Sequence, residues 1–141
     1  MMTRDEQAVL DAVMTFLDSY AKRSVELCMS AIATSKPILM FGTNDNEVFK
    51  SSDDMRAAFT RDFDSMTNIR WGERRNLHID AAPTLASVLI ELPLTFQSEG
   101  KETATLFRYA LTLIKEGEQW RISSGMASVP FPAGTYSFSQ P

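Results

Sequence analysis

KETATLFRYALTLIKEGEQWRISSGMASVP, residues 101–130, decides the fold. Two long strand-like runs flank the turn Lys115-Glu116-Gly117-Glu118. The first, Thr103 to Ile114, is apolar on both faces and so needs covering on both. The second, Trp120 to Val129, leads into the ending Ser128-Val129-Pro130. A turn this short joins antiparallel neighbours.

Upstream, Leu85 to Phe96 reads as another strand with apolar residues on both faces, closed by the turn Ser98-Glu99-Gly100. Before it, Ile69, Trp71, Glu73, Arg75, Leu77 and Ile79 alternate with Arg70, Gly72, Arg74, Asn76, His78 and Asp80. That period of two predicts a single strand over 68–80 with one largely polar face. The N-terminal half is helical. Thr3 and Glu6 have capping-box spacing, and Val9, Leu10, Val13, Phe16, Leu17 and Tyr20 recur as an apolar stripe, predicting a helix over 4–22. Ser24 caps a second helix over VELCMSAIA, which must end before Pro37. GTNDNE turns a small hairpin over 38–50, and a third helix follows over 52–66, with Asp53 and Asp54 in its first turn. Helices first and long strands afterwards make an α+β domain, a curved antiparallel meander with the helices on one face. The apolar residues of the other face call for a second cover, and the expected partner is another copy of the same sheet in a homodimer.

Composition narrows the function. The chain has 141 residues, one domain's worth. Its net charge of −4 argues against nucleic acid, which is held by Lys and Arg on phosphates. A single cysteine, Cys28, permits no internal disulfide and fits a reducing cytoplasm. The start, MMTRDEQAVL, lacks the basic and apolar pattern of a signal peptide, and no apolar run nears the ~20 residues of a membrane span. One His and one Cys cannot build the usual zinc site. The acids Asp45, Glu47, Asp53 and Asp54 match no calcium loop and read as turn and helix-start residues. No metal or cofactor is expected.

Several stretches together resemble the SnoaL-like branch of the nuclear transport factor 2-like superfamily. FGTNDNEVFKS is similar to its hairpin, MRAAFTRDF to the helix after it, and Arg70-Trp71-Gly72 to the start of its first long strand. The strand Arg108 to Thr112, the segment Gln119-Trp120-Arg121-Ile122 and Ser128-Val129-Pro130 resemble its ending. The resemblance implies a cone-shaped sheet with helices on its concave face, a single domain over 1–130, and an extension over 131–141. It also implies a pocket between helices and sheet. Relatives include polyketide cyclases, ketosteroid isomerase and small dehydratases. Many members carry a pocket-facing His where this chain has Met126, and an Arg-x-Thr where it has Arg108-Tyr109-Ala110.

Three functions remain open: a binding domain for a small apolar molecule, an enzyme acting on an apolar carbonyl compound, and a dimeric protein-interaction module. The enzyme reading needs an acid or base raised toward neutrality by burial. Glu91, within VLIELPLTF, and Arg108, within TLFRYALTL, are the catalytic candidates; they equally fit a structural cross-strand pair. His78 falls on the polar face of its strand. The expected ligand-binding set is Tyr20, Phe41, Trp71, Arg108, Tyr109, Trp120 and Met126, with methionines adding a pliable lining. Asp18 and Asp62 read as solvated positions on polar helix faces.

Overall fold

A capping box opens the first helix. In the computed structural model, which describes residues 1–136, the Thr3 side chain accepts from the Glu6 N–H and the Glu6 carboxylate accepts from the Thr3 N–H. Helix α1 then runs Arg4–Ala21. Ser24 caps α2, Val25–Ser30, and Ser51 caps α3, Ser52–Ser65. Helix α2 is shorter than its apolar pattern predicts. Beyond Ser30 the chain is drawn to the sheet: Ile122 N–H donates to Ala31, Ala33 N–H donates to Ile122, and Ile32 bridges Ile122 in parallel.

The strands are β1 (Leu39–Phe41), β2 (Val48–Phe49), β3 (Thr67–Trp71), β4 (Asn76–Ala81), β5 (Leu85–Ser98), β6 (Lys101–Glu116) and β7 (Gln119–Ser128). Their order is β2-β1-β7-β6-β5-β3, with β4 also on β5. The C-terminal meander is antiparallel as expected. The hairpin joins it through β1, which lies parallel to β7, so the curved sheet is mixed.

The strand expected over 68–80 is two strands. Pro93 of β5 has no N–H to give a ladder. Opposite it, four residues separate Trp71 from Asn76, while two separate their partners Leu94 and Glu91. The excess leaves the ladder as a short bulging segment. Gly72 and Arg75 tie its ends to Pro93 and Glu91 through backbone hydrogen bonds.

Register sorts the long strands into two faces. Ala86, Val88, Ile90, Leu92 and Leu94 of β5 are buried and join Leu111 and Leu113 of β6 and the helices in one core. The alternate set faces away from the helices, where Leu85 and Leu89 are exposed. Among the described residues, the second cover expected for these strands is not supplied. Residues 131–136 continue past the sheet as an exposed turn, and the rest of the expected 131–141 extension lies outside the described residues.

Candidate functional site

A cavity of about 110 Å³ opens between α1, α3, the β1–β2 hairpin and the sheet. That is the scale of engineered apolar cavities that hold a benzene ring. Phe16 and Tyr20 line it from α1, and Met55, Ala58, Phe59 and Asp62 from α3. The sheet contributes Phe107, Tyr109 and Leu111 of β6 and Met126 and Ala127 of β7. The hairpin closes it with Met40, Phe41, Gly42, Thr43, Glu47 and Phe49.

Helical spacing puts an acid into this apolar surroundings. Met55, Ala58, Phe59 and Phe63 are the buried residues of α3. Asp62 follows Met55, Ala58 and Phe59 by seven, four and three residues, so it shares their stripe. Tyr20 lies on the buried stripe of α1, and its Oη donates to Asp62 Oδ2 at 2.7 Å. The Tyr20 ring is held edge-on to Phe63 at 5.0 Å. Trp71 stands behind Tyr20 and Tyr109, at 6.1 and 6.2 Å between ring centres, and its Nε1 donates to the Leu17 carbonyl at 2.9 Å.

The electrostatics follow from burial. Burial raises the Asp62 carboxyl above its ordinary range; the bond from Tyr20 and the charge of Arg61 oppose this, and Glu47 adds to it. Burial and the Asp62 charge push both phenols, Tyr20 and Tyr109, above the ordinary tyrosine range, so both are neutral donors. Cys28, fully buried, is pushed up to about 12, first by burial and then by Asp62, and stays a thiol. A carboxyl of raised proton affinity, bonded to one phenol and near another, can move a proton on a small molecule held against the rings.

Of the expected ligand-binding residues, Tyr20 and Tyr109 line the cavity, while Phe41 and Met126 border it from the row they share with exposed Leu89 on the outer face. Trp71 supports it from behind. Trp120 is buried in the core and is not among the lining residues. Arg108 and Glu91 are directly opposed in register on the outer face. Arg108 Nε donates to Glu91 Oε2 at 2.7 Å and Asn76 donates to Oε1 at 2.7 Å, which holds Glu91 below the ordinary carboxylate range. They form a cross-strand pair away from the cavity. His78 is exposed on the same face and meets Asp80 at 2.9 Å. Asp62, expected to be solvated, lines the cavity instead, and Glu47, expected only as a turn residue, reaches it too. The signal for Asp62 was its place in the 55–58–59–62 stripe. Among the described residues no three His, Cys, Asp or Glu gather as a metal site, and no helix is long and apolar enough to cross a membrane.

A family model for the SnoaL-like domain matches residues 9–132. The chain belongs to the SnoaL-like family. Among curated proteins, no sequence match is found. Solved structures share this fold. A proposed dehydratase of the nuclear transport factor 2-like family from Streptomyces avermitilis superposes with a TM-score of 0.82 at 13% identity, over 91% of this chain and 98% of the other. A ketosteroid isomerase-like protein from Erwinia carotovora atroseptica gives 0.78 at 12% identity, over 93% and 100%. A proposed scytalone dehydratase from Novosphingobium aromaticivorans gives 0.78 at 12%, over 89% and 83%. At these identities the likeness is one of fold.

Proposed function

We propose that the cavity binds a compact, largely apolar carbonyl compound and moves a proton on it, in a reaction of the isomerase, dehydratase or cyclase kind. The observation that carries this is the 2.7 Å bond from Tyr20 to Asp62 inside a cavity lined mainly by rings and aliphatic groups. Asp62 is the acid–base group. It takes the proton from the carbon beside the carbonyl, the C–H electrons form the enolate, and the proton returns at another position or assists a leaving group. Tyr20 orients Asp62. Tyr109 supplies a hydrogen bond to the developing oxygen charge. The relatives described as dehydratases and as isomerase-like fit this class of chemistry. A binding-only role is supported by Met126 in place of the pocket His and by the aromatic and methionine lining; the Asp62–Tyr20 pair favours the enzyme reading over it.

The test is proton exchange. Small cyclic ketones and enones are incubated with the protein in D₂O, and loss of the α-proton signal is followed by NMR. Catalysed exchange that falls ~10²–10⁴-fold in Asp62→Asn is expected. Exchange that persists in Asp62→Asn would remove Asp62 from the chemistry.

We further propose that a second copy of the chain covers the outer face of the sheet. Exposed Leu89, Met126 and Phe41, which share that face, support it.

A further inference from the structure

We infer that the cavity sorts ligands by charge: it admits neutral and ammonium-bearing ring compounds, turns away carboxylates, and uses Glu47 to enforce the choice. The inference rests on the reading of the cavity as a ligand site and names the class of molecule that site accepts.

The lining carries two carboxyl groups, Asp62 and Glu47, and two phenols, Tyr20 and Tyr109. Among the described residues that line it there is no Arg, Lys or His. Arg108, expected in the ligand-binding set, pairs instead with Glu91 on the opposite face. An anion entering here loses its hydration and meets no counter-charge. It meets instead the negative faces of aromatic rings and two acids. A neutral carbonyl compound avoids that cost. An ammonium group finds carboxylates and ring faces, both of which attract it.

Glu47 is built into this position. It ends the β1–β2 turn, where Oε1 accepts from the Asn44 N–H at 2.8 Å and from Thr43 Oγ1 at 3.4 Å. Its side chain is only 19% exposed. It packs so closely on Gly42 that a Cβ there would stand 2.7 Å from the Glu47 Cβ, so a residue without a side chain makes room for it. Arg61 approaches Oε2 at 3.6 Å, but its side chain is 57% exposed and water screens its charge. Two turn donors therefore fix a carboxylate at the cavity wall, beside the acid proposed to do the chemistry.

The test uses three probes of one size: acetophenone, benzylammonium and benzoate. Each is titrated into protein carrying ¹³C-methyl methionine, and the Met55 and Met40 methyls, which line the cavity, report occupancy there and not on the outer face. Acetophenone and benzylammonium are expected to bind about tenfold or more tightly than benzoate, and Glu47→Gln is expected to close much of that gap by improving benzoate and weakening benzylammonium, with acetophenone unchanged. Benzoate binding as tightly as acetophenone to the wild type overturns the inference while leaving the ligand site standing. A gap unchanged in folded Glu47→Gln removes Glu47 from it. If none of the three moves the Met55 or Met40 methyls at millimolar concentration, the ligand-site reading itself fails and the charge selection falls with it.

Discussion

Asp62 is the residue on which the functional reading turns, and its setting has a thermodynamic consequence. Burial raises its carboxyl above the ordinary range, so the folded chain holds that proton more tightly than the unfolded chain does. As pH rises from the ordinary Asp value, about 3.9, the unfolded state releases its proton first, and stability falls until the folded group also ionises. Asn carries no such loss, and its amide oxygen can still accept from Tyr20. Asp62→Asn is therefore expected to melt above the wild type at pH 8, with the advantage vanishing below pH ~4. Calorimetry at the two pH values checks it; a variant that melts lower at pH 8 would mean that the ionised carboxylate stabilises the fold. Gained stability with lost exchange activity would mark a site kept for chemistry at a cost in stability. Asp62 was legible in principle, since it falls on the apolar stripe of α3. It reads as a polar-face position because Arg61 and Asp64 stand beside it, and its phenol partner lies 42 residues away. Glu91 and Arg108 misled for a related reason. A strand apolar on both faces does not say which face holds its charged residues; only the register of β5 on β6 does.

At the scale of elements, the capping residues and the apolar stripes located all three helices, because both are local signals. The departures come from contacts distant in sequence. Helix α2 stops early because β7 claims Ile32, and the strand over 68–80 breaks because Pro93 faces it across the sheet. The β6–β7 pair carries another such feature. The register shifts between Thr112 and Leu113, and nearby Gly125 lies so close to β6 that a Cβ would stand 2.4 Å from the Ala110 carbonyl oxygen and 2.8 Å from Leu111 Cδ2. Backbone cannot give way as a flexible side chain can. Gly125→Ala is expected to cost about 3 kcal/mol, at the upper end of overpacking penalties. Urea unfolding measures it, and a loss under about 0.5 kcal/mol would show that β7 moves aside. Because Ala127, two residues on, pairs with Tyr109 and lines the cavity, the same substitution should also weaken binding of acetophenone.

At the scale of the molecule, the sheet has one face buried under helices and one left over. Register aligns Phe41, Met126, Ala110, Leu89 and His78 in one row across β1, β7, β6, β5 and β4 of that second face. Leu89 is 54% exposed and Met126 46%. Polar rows border it: Ser128, Arg108, Glu91 and Asn76 on one side, Ser124, Thr112, Ser87 and Asp80 on the other. An apolar stripe with polar margins is the composition of an interface, with a dry centre and a wet rim. The sequence pointed to the same cover, because β5 and β6 carry more apolar residues than one face can bury. A two-fold partner would set stripe on stripe, each copy burying the other's Leu89. Light scattering after size-exclusion chromatography is expected to give twice the chain mass at micromolar concentration. Leu89→Arg places a charge at the centre of the stripe, against its own copy, and is expected to weaken association about a hundredfold or more. Its far-UV dichroism should stay unchanged, because the side chain points away from the core. A wild type that runs as a monomer at 100 µM would overturn the dimer. The cavity lies on the other side of the sheet from Leu89, so a monomeric Leu89→Arg that still binds acetophenone would show that each chain carries its own complete site.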